Sequence, residues 1–458
     1  MSATTAPSKV FDHIHDREIS RDQWLIVLIS GMGFFTDAYD LFVIGVALKL
    51  ISAEWHIGTT WTAIAGATAL LSAALGSLIF GRIADVLGRR FIYGVEVLVL
   101  AAGAVASALS PSIVWLVIFR FVLGLGIGGD YPVSATIASE YAGKFNRGML
   151  VSLVFTMQAL GLIIGPLLAV ALLSAHISGD LTWRLLLGLG ALPPLAVFYM
   201  RRRLNETPRF QLIQRAEQKK QEGEKVNVWS FSTLRKYLAD RTIAKWLAGV
   251  SIAWLVMDVA YYGNTISSPL IIKSIVPHAS TLQSTWYTLI VFVVAALPGY
   301  VLATWGMDRF GRKHIQLLGF AMMALSFIAL ALIPGGAKNT WPFLVLFCIN
   351  YFFTEFGPNT TTFIYPAEIF PARIRTTCHG IAACAAKIGA AIGAFAFPLL
   401  LAKFDLPGPM ITAAVMAIAG LFVTWTMLPE PNGQTLEAAS KDDLLEESPE
   451  GQVQHAFA

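Results

Sequence analysis

The chain has 458 residues, of which 56% are hydrophobic and only 14% charged. A soluble chain of this length carries about 25% charge, so the composition excludes an ordinary soluble enzyme and points to a protein resident in lipid. The net charge of +4 comes from basic loops and not from a nucleic-acid-binding face, so neither enzymatic chemistry nor a nucleic-acid partner is expected.

Residues 1–23 are polar, with no apolar region before residue 24. No cleavable signal peptide is expected, and the first spanning helix is its own insertion signal. Apolar stretches long enough to cross a bilayer as helices then follow at 24–50, 61–80, 91–109, 113–139, 148–174 and 183–200. A second set follows at 244–266, 284–305, 314–333, 341–364, 376–402 and 408–428. This predicts an all-α integral membrane protein of twelve transmembrane helices in two six-helix halves. The expected division is a tail over 1–23, a half over 24–200, a basic central loop over 201–243, a half over 244–430 and a tail over 431–458.

Lysine and arginine set the orientation. Arg82, Arg89, Arg90, Lys144, Arg147, Arg309, Arg312, Lys313, Arg373 and Arg375 crowd one set of loops, against little more than Lys273, Lys338 and Lys403 on the other. By the positive-inside rule both termini and the central loop are expected in the cytoplasm. That loop is basic from Arg201–Arg203 through Lys219, Lys220 and Lys236, and reads as a solvated linker on anionic headgroups. The tail after Pro431 is acidic through Asp442, Asp443, Glu446 and Glu447 and reads as disordered. Cys348, Cys378 and Cys384 show no metal-ligand spacing and read as packing residues, so no metal is expected.

An internal repeat ties the halves together. The segments 81–90 and 304–313 share D-x-x-G-R-[RK], with Asp85 and Asp308 223 positions apart. Glu206 and Glu430 are 224 apart, and the pairs Glu140–Arg147 and Glu368–Arg375 are offset by 228. Constant offsets imply two parallel repeats, and transporters of that build bind substrate near the midplane between them. The same arithmetic sets Asp37 opposite Asp258, Tyr131 opposite Asn359, and Gln158 opposite Ala386 beside Lys387. A central cavity lined by the first, fourth, fifth, seventh, tenth and eleventh helices satisfies all of them.

The stretch Arg120–Arg147 is the most informative. It is apolar and glycine-rich, and after Arg120 its only charge before Glu140 is Asp130. A charged side chain at membrane depth costs at least about 2.5–3.5 kcal/mol, so function is the default reading. Gly124–Gly129 matches GxGxxG but follows no strand, so it reads as a helix-packing face and not a nucleotide loop. Asp85, Arg89, Glu140, Arg147, Asp308, Arg312, Glu368 and Arg375 lie at the basic end, away from a midplane substrate, and read as gating residues. The interior ionisable set is Asp37, Asp40, Glu96, Arg120, Asp130, Asp258, Glu355 and Lys387. Its six carboxylates outnumber its two bases, and unpaired buried carboxylates take up protons.

Four segments are GMGFFTDAYDLFVIG (31–45), GGDYPVSATIASEYA (128–142), FGPNTTTFIYPAEIFPARIRTTCHG (356–380) and AAKIGAAIGAF (385–395). They resemble the phosphate:H⁺ symporters of the major facilitator superfamily, the high-affinity phosphate transporters of plants and fungi. The resemblance implies the major facilitator fold and proton-coupled import of inorganic phosphate by alternating access. It implies a phosphate site of Tyr131, Gln158, Trp254, Asp258, Tyr262 and Asn359, and a proton path through Asp37 and Asp130 with Asp40 and Glu96 nearby. Asp258 faces the anion and is expected to share in the coupling. Lys387 matches the family's lysine in the eleventh helix, whereas Glu355 stands where asparagine is usual, so both are possible modifiers of substrate or coupling. The expected partners are phosphate, protons and the bilayer. No cofactor is implied beyond the coupling proton, and the unit is expected to work as a monomer in a plasma or bacterial inner membrane. A transporter of another small solute (an organic anion or a sugar) and a non-transporting sensor remain the alternatives.

Overall fold

The computed structural model describes residues 19–207, 209–211, 213–214, 232–276, 281–333 and 340–442. Lys219, Lys220, Lys338, Asp443, Glu446 and Glu447 fall outside them. Among the described residues twelve long helices run back and forth. In the first half they are α1 (Arg21–Trp55), α2 (Thr59–Leu87), α3 (Arg89–Ala108), α4 (Ile113–Tyr141) and α5 (Arg147–Ser174). A sixth, α6, is made of Gly179–Leu189 and Leu192–Arg203. The second half holds α7 (Arg241–Ile275), α8 (281–310), α9 (Arg312–Ala331), α10 (340–368), α11 (Arg375–Phe404) and α12 (Pro407–Met427). Ten of the twelve are long and apolar enough to cross a membrane; α1 and α10 complete the set.

Local chemistry sets the ends. A reciprocal Ser20–Gln23 capping box starts α1, satisfying two amides that a helix start leaves open. Gly88 (φ 106°) and Gly311 (φ 83°) separate α2 from α3 and α8 from α9. Only glycine takes such angles without strain, so each connection is a one-residue pivot. The D-x-x-G-R-[RK] segments are therefore helix ends and not loops: Asp85 lies in α2 and Asp308 in α8.

Three further expectations are corrected. The sixth helix runs to Arg203, which removes Arg201 from the central loop and buries it completely. Part of the central loop is helical, at Ser232–Leu238. The tail is ordered as far as it is described, with Leu436–Ser440 helical and its Leu436, Ala439 and Ser440 buried.

The halves pack alike. In the first, α2 lies on α4 and α1 on α5; in the second, α8 lies on α10 and α7 on α11. Across the interface α2 meets α11, and their counterparts α8 and α5 meet in the same way. Lipid offers no hydrophobic drive between helices, so small residues and close backbones carry these contacts. A Cβ on Gly128 would stand 2.0 Å from the Ala73 carbonyl oxygen, which is backbone and cannot yield. Gly128→Val should therefore split α4 from α2 and lower stability by about 1–3 kcal/mol or more. A detergent-solubilised variant melting like the parent would show that the α2–α4 seam tolerates bulk.

Candidate transport site and gates

The interior polar residues fall into four groups. The first joins the halves at the centre. Tyr131 of α4 donates its hydroxyl to Asp37 of α1 at 2.5 Å. Lys387 of α11 donates to the hydroxyls of Tyr131 (2.8 Å) and Tyr262 (2.6 Å) and stands 3.7 Å from Asp37. Asp258 and Trp254 lie one and two turns before Tyr262 on one face of α7.

The second group also bridges the halves. Gln158 of α5 accepts from Tyr300 of α8 at 2.7 Å and from Asn359 of α10 at 3.4 Å. Asn359 donates to Tyr300 at 2.9 Å and to the carboxyl group of Glu355. Residues Glu355–Asn359 form a π turn whose Gly357 leaves helical geometry (φ −103°, ψ −111°). Such bulges gather at functional sites, and this one turns Glu355 and Asn359 to the same interior.

The other two groups lie within the first half. Arg120 of α4 holds Asp40 of α1 with two bonds, at 3.1 and 2.8 Å. Arg201 of α6 donates to Glu96 of α3 at 2.8 Å and to Asp130 of α4 at 3.0 Å. It also donates to the Ile29 carbonyl oxygen at 3.2 Å and lies 4.0 Å over the Tyr93 ring. Ser134 donates to Asp130 at 2.8 Å.

The six-to-two count of carboxylates over bases is thereby corrected to six against three. Asp130 faces Arg201, apart from the Lys387 group, and Asp40 holds Arg120. Asp258 and Glu355 have no cationic partner within 4 Å among the described residues.

A floor of aromatic rings lies one turn nearer the basic end. Phe34, Phe155, Trp254 and Phe363 sit three or four residues from Asp37, Gln158, Asp258 and Asn359 respectively. Phe363 stands 4.8 Å from Phe34, 4.7 Å from Phe155 and 6.2 Å from Trp254, centre to centre. At the opposite end Phe42 of α1 meets Phe292 of α8 across the halves at 6.3 Å. Between these closures a cleft of about 20 Å³ touches Asp37, Asp40, Arg120 and Lys387. That volume suits a single water, not a tetrahedral oxyanion.

The basic end is closed by two matching clusters. Asp85 at the end of α2 accepts the Thr376 and Thr377 amides at 3.3 and 2.6 Å, at the start of α11. Asp308 at the end of α8 accepts the Gly148 and Met149 amides at 3.0 and 2.7 Å, at the start of α5. Each carboxylate thus complements the positive end of a helix dipole in the other half. Arg89 pairs with Asp85 (3.1 Å) and Glu140 (3.5 Å), and Arg375 reaches Glu140 at 3.0 Å from the other half. In the repeat, Arg312 pairs with Asp308 (2.9 Å) and Glu368 (2.8 Å), and Arg147 reaches Glu368 at 3.0 Å. Glu206 accepts the Arg89 and Arg90 amides, and Glu430 those of Arg312 and Lys313.

The ordered tail lies across this end. Arg209 pairs with Glu437 at 2.7 Å, and Asp442 accepts the Ala372 amide at 2.7 Å. Burial alone would raise the Glu437 carboxyl, but the Arg209 guanidinium holds it below the usual carboxylate range. A group lowered in this way stabilises the fold above its ordinary value, and the contribution is lost as pH falls through the lowered one. Glu437→Gln should therefore flatten the acid limb of thermal stability; an unchanged limb would remove this pair from the acid response.

Sequence reasoning missed Arg201, Tyr300 and the aromatic floor. Arg201 was masked by its neighbours Arg202 and Arg203, which read as a loop. Tyr300 lies on α8, a helix left out of the expected cavity lining. The floor carried a usable signal, an aromatic one turn from each polar residue.

Comparison with known proteins places this architecture. A family profile described as sugar (and other) transporter matches residues 25–442. A probable inorganic phosphate transporter 1-6 of Arabidopsis thaliana is 34% identical over 501 residues, covering 92% of this chain and 95% of the relative. Inorganic phosphate transporter 1-6 of Oryza sativa subsp. japonica is 34% identical over 518 residues, covering 95% and 96%. Among solved structures, the major facilitator superfamily proton:xylose symporter XylE bound to 6-bromo-6-deoxy-D-glucose matches with a TM-score of 0.75 at 21% identity, over 91% of this chain and 98% of that one. An inward-open conformation of XylE from E. coli, also 21% identical, matches at 0.65 over 91% and 99%. That likeness speaks to the fold. The chain belongs to the sugar (and other) transporter family, on the major facilitator fold and alongside the inorganic phosphate transporters.

Proposed function

We propose that this protein imports inorganic phosphate with protons by alternating access. The observation that carries the reading is the kinship, over nearly the whole chain, with relatives named inorganic phosphate transporters. The site chemistry supports it. Tyr131, Gln158, Tyr262 and Asn359 offer neutral hydrogen bonds to phosphate oxygens, Trp254 closes one wall, and Lys387 supplies a positive charge. Asp258 faces the anion, so two like charges meet unless a proton lies between them, and proton and phosphate favour each other. Asp37 exchanges Lys387 as partner when the anion arrives. Asp130 and Glu96 share Arg201, so one proton more or less changes how α6 is held.

The basic end is cytoplasmic in this reading, with both termini there. The host is a plasma or bacterial inner membrane, the unit is a monomer, and no cofactor takes part. The paired clusters at that end act as the inner gate, and opening inward breaks the Asp85–α11 and Asp308–α5 bonds together. Asp85→Asn with Asp308→Asn should raise the labelling of a cysteine placed at Phe363. Labelling at the parent's rate would remove these aspartates from the gate.

Substrate and coupling are tested on purified protein in liposomes. Phosphate uptake should be competed by arsenate and not by sulfate, glucose or dicarboxylates, and Asp258→Asn should weaken its pH dependence. Competition by glucose or dicarboxylates would overturn the substrate assignment, and a parental pH profile in Asp258→Asn would overturn the role of Asp258.

A further inference from the structure

Glu355 is the one interior carboxylate placed in the second polar group, beside a substrate-binding candidate and away from every cation described above. It is wholly buried. Asn359 bonds to one of its oxygens, while the other has no hydrogen-bond partner among the described residues. The titratable groups facing it are all phenols: Tyr300 from α8, Tyr261 and Tyr262 from α7, and Tyr351 from its own α10. Helix α9 packs against the same turn through Gly319, which adds no charge. An isolated carboxylate in an apolar medium neutralises itself sooner than bear the solvation cost.

We propose that Glu355 is a further proton-carrying residue, taking up a proton from water so that its neutral carboxyl group donates a hydrogen bond to the bound oxyanion. The inference rests on phosphate as the cargo and adds one proton to what each phosphate brings. The π turn fits this role, since it holds Glu355 and Asn359 side by side as two donors toward one oxyanion. The ionised form places a negative charge one turn from Asn359 and disfavours the anion. Glu355 therefore makes binding more acid-dependent than the Asp37, Asp130 and Asp258 groups alone would.

The experiment measures phosphate affinity of the purified protein from neutral to alkaline pH. Wild type, Glu355→Gln and Glu355→Asp are compared, so that the titration of phosphate itself cancels. Wild-type affinity is expected to fall on the alkaline side by up to about tenfold per pH unit more steeply than that of Glu355→Gln. Glu355→Asp, which keeps the acid, restores the steep limb. Equal slopes in wild type and Glu355→Gln overturn the proposal. If wild type binds no phosphate at any pH, the substrate reading fails instead, and infrared spectroscopy of the ligand-free protein decides about Glu355. A protonated carboxyl band at neutral pH that Glu355→Gln removes sustains the proton site; a spectrum unchanged by the substitution overturns it.

Discussion

Replacing Arg201 with alanine is expected to be the most destabilising single change in the first half. Arg201 is fully buried and is the only cation within 4 Å of Glu96 and Asp130 among the described residues. Its removal leaves two carboxylates facing each other in a dry interior. Breaking a buried ion pair from one side costs about 3–5 kcal/mol, and here two partners are stranded at once. The expected result is a large fall in melting temperature and in recovered protein. Adding Glu96→Gln and Asp130→Asn should return much of the loss, because the stranded charge and not the missing volume carries the cost. Such recovery is a coupling between sites that only a shared network produces. An Arg201→Ala protein melting with the parent would mean that the two carboxylates are satisfied by other means.

The second large effect is expected at Lys387. This ammonium lies 4.1 Å over the Tyr131 ring and 4.7 Å over that of Tyr262, and it donates to both hydroxyls. It therefore links α11 of one half to α4 of the other at the level of the cleft. Lys387→Met keeps the length of the stem and removes the charge. Truncating one partner of a buried, hydrogen-bonded pair costs about 2–5 kcal/mol, so phosphate affinity should fall by at least about 30-fold. Pairing it with Asp37→Asn should recover stability without recovering affinity, since the stranded carboxylate is then gone while the positive charge is still missing. Phosphate affinity unchanged in Lys387→Met would take this residue out of the binding site.

Much of this architecture is legible in the sequence. The spans follow from apolar length alone, because in a bilayer the backbone has no partner but itself and must be helical. The halves follow from constant offsets, and in the structure the residues at those offsets hold matching positions: Asp85 caps α11 as Asp308 caps α5. What the pattern hid was charge at helix ends. Arg201 shares the run Arg201–Arg203 with neighbours that read as a surface cluster, and all three lie in the last turn of α6, where only the direction the helix gives its side chain buries Arg201. The pairing of buried charges was equally hidden, since Asp37 and Asp40 lie almost a turn apart on α1 and either spacing admits Arg120. Helix rotation decides that, and rotation is set by packing against neighbours. Glu355 was visible as an oddity in its segment, but its isolation from cations is a property of the assembled helices.

The central claim is that phosphate and protons move together. Its most direct test is radiolabelled phosphate uptake into proteoliposomes, with and without an inward proton gradient. The account predicts uptake that the gradient stimulates and that Asp130→Asn loses. Uptake at one rate under both conditions, or none for phosphate by a folded protein, would contradict it.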